Sequence, residues 1–230
     1  MKTLVVVPIS HEIKYFLLAC AKQGIPMEPG VIGRLPVTRL PDLGMTVAPG
    51  GLGKAQFALQ TQHLIDAGAG WDLVICAGAA GALADGLSVG DVVMGTETVE
   101  HDVRNGFGPL RLPRFSGDAA ALGSFKPAAL KMDSFSVFWG AIASGDENVI
   151  DNARRQQVHK ETGALAVAWE GAGGARACQF SGIPFVEMRA VTDSADHHAI
   201  YDFILNLKKA MKNLALLMVC WARSRQDAIL

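Results

Sequence analysis

The sequence predicts an α/β fold, a single three-layer αβα domain over residues 1–230 with a central mixed, mostly parallel twisted sheet. Two observations lead to this prediction. Short apolar segments with strand character alternate with helical segments along the whole chain, without an internal repeat or a linker. In addition, residues 164–193 read as a strand, a short helix of small residues and a second strand, which is the crossover unit of parallel sheets.

The composition excludes several functional classes. Half of the 230 residues are hydrophobic, and the formal net charge is −1. Because the chain is nearly neutral and has no large basic cluster, we expect neither nucleic acid nor an anionic membrane as its main partner. No apolar run approaches the roughly 20 residues that a membrane helix needs, and no signal peptide is evident. We therefore expect a soluble, cytoplasmic protein.

The four cysteines carry little functional information. They are scattered, with no CxxC pair and no histidine at the spacing of a metal ligand: Cys20, Cys76, Cys178 and Cys220. This pattern is typical of reduced, mostly buried thiols in an intracellular protein. The sequence predicts neither a metal site nor a cofactor.

The first strand and helix place an acid near a strand end. Residues 4–7 form a β-branched apolar run that stops at Pro8, and Ser10 is the expected N-cap of the helix that follows. Glu12 falls in the first turn of that helix. On local pattern alone, a glutamate there is most often favourable to the helix dipole rather than catalytic.

Glycine-rich segments follow two of the next strands. After a strand at 45–48, residues 49–54 form a glycine-rich turn into a helix at 55–67. This turn fits either anion binding or plain turn chemistry, and it is not a Walker A loop because no Lys-Ser/Thr pair closes it. A buried strand at 72–77 is followed by small residues at 78–81, which we expect to form a loop beyond its carboxyl end. Residues 24–42 read as a loop with an edge strand.

The second half continues the alternation. Strands are expected at 91–96 and 135–143, and a polar helix should reach about residue 162. Residues 104–128 look irregular and suit a long functional loop or an interface segment. The last helix, at 202–223, has one apolar stripe. Its members are Ile204, Leu207, Met211, Leu214, Met218 and Trp221.

Two acids end the two strands of the unit at 164–193. Glu170 follows the first strand and Asp193 ends the second. Since ligands of α/β sheets bind beyond the carboxyl ends of strands, we expect both acids on one rim, from a parallel pair of strands. Gly171, Gly173 and Gly174 begin the connecting helix, each at a cost of about 1 kcal/mol relative to alanine. They indicate a close backbone approach, either to a ligand or to tightly packed neighbours.

A set of motifs then makes the chain similar to a known superfamily. They are G-G-L-G-K at 50–54, the block D-L-V-I-C-A-G-A-A-G-A-L-A-D-G-L-S-V-G-D-V-V at 72–93, E-H-D at 100–102, S-G-D at 144–146, W-E-G-A at 169–172 and R-A-V-T-D-S-A-D at 189–196. In this order and spacing the chain resembles the nucleoside phosphorylase/nucleosidase superfamily over nearly its whole length. It looks most like methylthioadenosine/S-adenosylhomocysteine nucleosidases and futalosine hydrolases.

The resemblance implies a reaction and its residues. Asp193 would protonate N7 of a purine, Glu170 would bind the ribose hydroxyls, and Glu12 would activate the attacking water. An N-glycosidic bond breaks through an oxocarbenium-like state, so the leaving base needs a proton and the sugar favours a nearby carboxylate. The other substrate-binding positions that the resemblance implies are Gly78, Ala79, Asn148, Val149 and Trp169. It also implies a small-molecule nucleoside substrate, no cofactor and a homodimer.

Three positions depart from the nucleosidase pattern. Asn148 stands where these enzymes carry a stacking phenylalanine, Trp169 where they carry methionine, and Ala79 where they often carry serine. Trp169 can either take over the stacking or belong to the core. These departures leave the reaction class intact and put the specificity for adenine in question.

Two other functions stay open from the sequence: a nucleoside phosphorylase and a catalytically silent nucleoside-binding protein. Phosphorolysis needs a dianion site, and the superfamily's phosphorylases carry arginines in the loops after the first and the middle strand. Neither loop has an arginine here, although His11 could bind phosphate if it pointed inward. Glu12 would repel a dianion and suits an attacking water, so the sequence favours hydrolysis.

Overall fold

The structure, a computed structural model, describes residues 1–68, 70–104, 108 and 111–227. Its strands are β1 (Thr3–Val7), β2 (Glu28–Ile32), β3 (Leu35–Leu40), β4 (Met45–Pro49), β5 (Leu73–Ala82), β6 (Val92–Glu100), β7 (Arg114–Ser116), β8 (Val137–Ser144), β9 (Ala166–Ala168) and β10 (Phe185–Asp193). Its helices are α1 (Ser10–Lys22), α2 (Lys54–Ala67), α3 (Ala119–Ala129), α4 (Asn152–Thr162), α5 (Gly171–Ser181) and α6 (Ala199–Asp227).

The described strands form one ten-stranded mixed sheet, in the order β10-β6-β8-β9-β5-β1-β4-β3-β2, with β7 beside β6. The centre of the sheet is parallel, because β4, β1, β5 and β10 pair in one direction. Strand β5 also pairs with β9, and β10 also pairs with β6. Strands β5, β9, β8, β6 and β10 therefore close into a ring at one side of the sheet, which the sequence does not predict.

Helices cover both faces of the sheet, as the alternation along β1 illustrates. Val5 and Val7 belong to a core shared with α1, α3 and α6, whereas Leu4 and Val6 belong to a core shared with α2 and α5. A strand whose residues are buried on both faces is typical of the middle of an α/β sheet. The predicted three-layer α/β fold with a mixed sheet is confirmed.

The last helix is the clearest sequence prediction. Leu207, Met211, Leu214, Met218 and Trp221 are all buried in the core under α6, as the stripe predicts. Ile204 is the exception, because it is 68% exposed. Within the described chain, no helix combines the length and apolarity needed to cross a bilayer.

Two predictions about the central strands are wrong. Residues 78–81 are not a loop but the second half of β5, where they pair with β10 up to Gly81 and Asp193. In addition, β9 and β10 are not a parallel pair, because β5 lies between them and runs antiparallel to β9. Small residues suggested a loop at 78–81, and the strand–helix–strand order suggested that β9 and β10 are neighbours. The long-range pairing of β10 with β5 decides both points.

Three further local predictions need correction. Residues 24–42 contain a hairpin of two strands, β2 and β3, rather than one edge strand. The segment at 104–128 contains β7 and α3, the latter capped by Asp118 Oδ1, which accepts from Ala121 N at 2.8 Å; residues 105–107, 109 and 110 lie outside the described residues. Finally, the N-cap of α1 is Ile9, and Ser10 is already helical.

Candidate active site

A cavity of about 440 Å³ opens at the carboxyl ends of the central parallel strands. Its walls come from the turn after β1, β5, the β8–α4 loop, the β9–α5 turn, β10 and the start of α6. The volume is in the range of small-molecule sites in proteins. Of the eight site residues that the sequence predicts, those that line the cavity are Glu12, Ala79, Asn148, Val149, Trp169, Glu170 and Asp193.

Gly78, the eighth, lies behind the wall instead of in it. A Cβ at this position would stand 2.6 Å from Nη1 of Arg189 and 3.0 Å from Oε1 of Glu12. The two charged side chains fill the space beside the strand, so Gly78 makes room for them and does not face the cavity. Gly81, which lines the cavity, likewise makes room for Asp193, because a Cβ at Gly81 would lie 2.8 Å from Asp193 Oδ1.

Glu12 points into the site from the first turn of α1 and is almost fully buried. Its Oε1 accepts from Ala79 N at 2.7 Å and its Oε2 from Ile9 N at 3.2 Å. Burial, and next the charge of Glu170, raise the pKa of Glu12 to about 7, against the opposing effect of Arg189 and the two amides. A glutamate that only interacts with the helix dipole would be ionised well below neutral pH. Because the pKa of Glu12 is raised instead, the helix dipole alone does not explain its position.

Glu170 forms the opposite part of the acidic wall, at the N-cap of α5. Its Oε2 lies 3.2 Å from Nη1 of Arg189, and its Oε1 accepts from Gly53 N at 3.4 Å. Burial raises the pKa of Glu170, although Arg189 opposes the shift. The turn is held in place by Ser144, whose Oγ donates to the Trp169 carbonyl and accepts from Ala172 N.

Arg189 is a site residue that the sequence reasoning missed. It is fully buried on β10, lines the cavity and forms ion pairs with Glu170 and Glu187. The sequence reasoning considered an arginine only in the two loops after the first and the middle strand, where this chain has none, and Arg189 lies in neither. The available signal was the presence of two charged side chains, Glu187 and Arg189, within a mainly apolar strand, since a buried arginine needs carboxylate partners.

Asp193 ends β10 at the other side of the cavity and is buried. Its Oδ2 accepts from Thr192 Oγ1 at 2.8 Å and its Oδ1 from Ala195 N at 2.9 Å. Burial raises the pKa of Asp193, with smaller contributions from the charges of Asp202 and Asp196, while the two hydrogen bonds lower it. The bond to Ala195 is made within a turn, so Asp193 does not cap a helix.

The remaining walls are mainly apolar. Val149 is buried, Trp169 is half-buried and Asn148 is exposed, and all three line the cavity near the β8–α4 loop and the β9–α5 turn. At the mouth stand side chains from four elements of the fold: Ile9, Leu52, Ile150, Ile200 and Phe203. A ligand with one polar end and one apolar end matches such a surface.

The glycine-rich turn before α2 is occupied by the protein's own acids. Lys54 N donates to Asp146 Oδ1 at 2.8 Å, and its ammonium group pairs with Glu100 and Asp102. The amides at the start of α2 therefore bind carboxylates from elsewhere in the chain. Of the two interpretations of this turn, the structure favours turn chemistry over binding of an external anion.

The glycines of α5 have a packing role. A Cβ at Gly173 would stand 2.2 Å from the Lys54 carbonyl oxygen, and one at Gly174 would stand 3.0 Å from the Phe57 ring. Gly171 instead faces the carboxylate of Glu187, at 2.1 Å from a built Cβ. These distances favour tight packing of α5 against α2 and β10 over direct contact of the glycines with a ligand.

Across the described part of the chain, no group of three or more His, Cys, Asp and Glu side chains could hold a metal ion. His11, the remaining candidate for phosphate, is exposed and does not line the cavity. The chemistry of the site therefore rests on three buried carboxyls, one arginine and the apolar walls.

Comparison with known proteins shows the family to which this architecture belongs. The family model described as the phosphorylase superfamily matches residues 2–220. The chain is 32% identical over 198 residues to a 5′-methylthioadenosine/S-adenosylhomocysteine nucleosidase of Exiguobacterium sp., covering 82% of this chain and 84% of that protein.

Solved structures agree. The Neisseria meningitidis 5′-methylthioadenosine/S-adenosylhomocysteine nucleosidase in complex with methylthio-immucillin-A matches with a TM-score of 0.83 and 34% identity, covering 98% of this chain and 100% of that one. Futalosine hydrolase of Helicobacter pylori matches with a TM-score of 0.84 and 26% identity, covering 97% and 98%. The resemblance inferred from the sequence is confirmed, and the chain belongs to the phosphorylase superfamily.

Proposed function

We propose that this protein is an N-ribosyl hydrolase that cleaves the N-glycosidic bond of a purine nucleoside or 5′-thionucleoside. The reaction class and the enzymatic nature of the chain are confirmed at the level of the family, since relatives at about 30% identity over most of the chain are nucleosidases. The observation that carries the proposal is the placement of Glu12 and Asp193 on separate walls of one cavity.

Asp193 is the proposed general acid. Cleavage leaves negative charge on the base, and a proton delivered to N7 neutralises it. The raised pKa of Asp193 supports this role, because an aspartic acid with an ordinary pKa near 3.9 carries no proton at neutral pH. Its position at the end of β10, with one oxygen beside the Thr192 hydroxyl, leaves the carboxyl at the cavity surface.

Glu12 is the proposed general base and Glu170 the proposed ligand of the ribose hydroxyls. A base with a pKa of about 7 is well suited to take a proton from water at neutral pH, because it is both partly ionised and basic enough. Glu170 is held by Arg189 and Gly53 N, so its free lone pairs face a fixed direction. Two carboxylates beneath the sugar also favour the positive charge of the transition state.

Arg189 bears on the phosphorylase alternative, because an arginine in the cavity is a possible phosphate ligand. Its guanidinium is already engaged, by Glu187 through Nε and by Glu170 through Nη1. Three carboxyls, Glu12, Glu170 and Glu187, surround the single arginine, so the floor of the cavity is acidic. A phosphate dianion would be repelled there, so water remains the proposed nucleophile.

The cavity mouth supports a substrate with an apolar 5′ group. Ile9, Leu52, Ile200 and Phe203 surround the opening, and Arg189 is the only Lys or Arg among the described lining residues. A methylthio group would bury apolar surface there, whereas the charged end of a homocysteine would find no cationic partner on these walls. We therefore propose methylthioadenosine-like nucleosides as better substrates than S-adenosylhomocysteine.

A cytoplasmic homodimer completes the proposal. Leu59 of α2 and Phe180 of α5 are large apolar side chains, and each is more than half exposed. An apolar helical layer of this kind suits a second copy of the chain. Light scattering should give the mass of a dimer at micromolar concentration, and a monomer would contradict this part of the proposal.

A nucleoside panel tests the function. The purified protein is incubated with adenosine, inosine, methylthioadenosine, S-adenosylhomocysteine and futalosine, and the released base is identified by chromatography. We expect release of free base, with the highest kcat/KM for a nucleoside with an apolar 5′ group. Binding of nucleosides without any base release would instead support the silent binding protein.

A further inference from the structure

Behind the cavity wall lies a second acidic residue of β10. Glu187 is 1% exposed and does not line the cavity, and the sequence pattern predicts no role for it. Its Oε1 accepts from Arg189 Nε at 2.9 Å, and its Oε2 accepts from Thr98 Oγ1 at 2.5 Å. A carboxylate buried so deeply is costly unless its partners satisfy it, so this contact requires an explanation.

The strand geometry explains why Glu187 and Arg189 meet. They are two positions apart on β10 and so share the face that is turned toward α5, while Val186, Met188 and Ala190 pack into the other core. Gly171 at the start of α5 leaves the space for the Glu187 carboxylate, because a Cβ there would stand 2.1 Å from Oε2. The local sequence is therefore built around this ion pair.

The guanidinium of Arg189 is fixed on every side. Its Nε donates to Glu187, its Nη2 donates to Cys76 Sγ at 3.2 Å, and its Nη1 lies between Glu170 Oε2 at 3.2 Å and the Ala79 carbonyl at 3.5 Å. The Cys76 thiol is neutral, since burial raises its pKa well above the ordinary value. Glu187 is thus the anionic partner that holds Arg189 from the side away from the cavity.

Glu12 is near this guanidinium but is not paired with it. Among the described residues, Arg189 forms ion pairs with Glu170 and Glu187 alone, and Glu12 instead accepts from the amides of Ala79 and Ile9. The charged groups that act on Glu12 are Glu170 from α5 and Arg189 from β10. Any movement of Arg189 toward Glu12 would therefore change the basicity of this carboxyl.

We propose that Glu187 is a positioning residue, which anchors Arg189 against Glu170 and keeps the guanidinium from pairing with Glu12. An ion pair would lock Glu12 as a weakly basic carboxylate, and the anchor leaves it free to accept a proton from water. This inference rests on the proposed role of Glu12 as the general base. According to this inference, Glu187 controls the acid limb of the pH–rate profile although it does not line the cavity.

The test is the pH dependence of kcat/KM for base release by wild type and by Glu187→Gln. Without the anionic anchor, Arg189 should turn toward Glu12 and stabilise its ionised form, so the acid limb should move down by about one pH unit. The rate on the plateau should fall about tenfold, because the base is weaker. Glu187→Asp, which keeps the negative charge, should retain a limb near that of wild type.

Two controls separate this effect from loss of stability. Asp91→Asn removes another buried carboxyl, which binds Ser88 N and Ser136 N and touches none of the site residues, and should leave the limb in place. Thr98→Val removes the hydroxyl that donates to Glu187, and it should move the acid limb to lower pH by a smaller amount than Glu187→Gln does. This variant replaces Glu187→Gln in the test if the latter does not fold.

The outcomes are distinguishable. If the wild type is active and the acid limb of Glu187→Gln lies at the same pH as that of wild type, the inference is wrong. If Glu187→Gln does not fold, an unmoved acid limb in Thr98→Val has the same meaning. Equal shifts in Glu187→Gln and Glu187→Asp would also overturn the inference. A wild type that releases no base from any nucleoside would overturn the proposed function itself, before the variants are compared.

Discussion

Oε1 of Glu12 accepts a hydrogen bond from the backbone N–H of Ala79 at 2.7 Å, across 67 positions of sequence. The bond ties the first turn of α1 to the middle of β5 and fixes the carboxyl at the floor of the cavity. Ala79 contributes only its backbone to this contact, so the contact does not depend on the side chain at this position. The two backbone amides of Ala79 and Ile9 together fix the position of the Glu12 carboxyl.

This burial has a consequence for stability. Because the folded-state pKa of Glu12 is raised from 4.5 to about 7, its protonated form is favoured in the fold. The stability that this provides is fully present below pH 4.5 and is lost as the pH rises through about 7, with a magnitude of about 3 kcal/mol. Glu12→Gln cannot ionise and should therefore be more stable relative to wild type at pH 8 than at pH 5.

The measurement is the difference in Tm between Glu12→Gln and wild type at the two pH values. For a chain of this size, the difference should be larger at pH 8 by roughly 5–10 °C. Glu28→Gln is a suitable control, because Glu28 is exposed and its replacement should give no such dependence. A difference in Tm that is the same at both pH values would mean that the pKa of Glu12 is not raised in the fold.

Asp193→Asn should lose base release and keep the fold. The amide has nearly the same shape and can still accept from Ala195 N, but it has no carboxylic proton to give to the base. Loss of a general acid should lower kcat by ~10²–10⁴-fold. Asp196→Asn, which removes a nearby carboxylate outside the cavity lining, should have a far smaller effect. Activity of Asp193→Asn within threefold of wild type would remove Asp193 from this role.

Trp169→Ala tests the proposed contact with the nucleoside. Trp169 lines the cavity and stays half-buried, and Asn148 offers no aromatic face nearby. If its indole stacks on the base, the variant should raise KM by ~5–100-fold, since such stacking contributes about 1–3 kcal/mol. An unchanged KM together with a lowered Tm would make Trp169 a core residue. Trp71→Ala, which removes an indole that donates to the Leu64 carbonyl far from the cavity lining, is the control.

The sequence predicts the parts of the fold in which local pattern and tertiary structure agree. The stripe from Leu207 to Trp221 is periodic over four turns, and burial follows from that period. Helix α3 is different, because Gly123 and Pro127 obscure its helical pattern, while the Asp118 cap alone is a weak signal. The strand at 78–81 looks like a turn, since only pairing with distant β10 makes its small residues a strand.

The site shows the same division. Glu12, Glu170 and Asp193 stand at strand ends or helix starts, the positions at which ligands of α/β sheets bind, and the family motifs include two of them. Arg189 and Glu187 lie inside a buried strand, and their partners come from β5, β6 and the β9–α5 turn. The sequence shows that two charged residues interrupt the strand, but only the assembled sheet brings them together with these partners.

Hydrolysis without phosphate is the central claim, and one measurement tests it most directly. Base release from methylthioadenosine is followed with and without ~50 mM phosphate, a concentration that exceeds ordinary millimolar KM values, and the sugar product is identified. We expect the same rate in both conditions, a free sugar as product and a severe loss of the phosphate-free rate in Glu12→Gln. A rate that vanishes without phosphate, or the detection of a ribose 1-phosphate, would contradict the account.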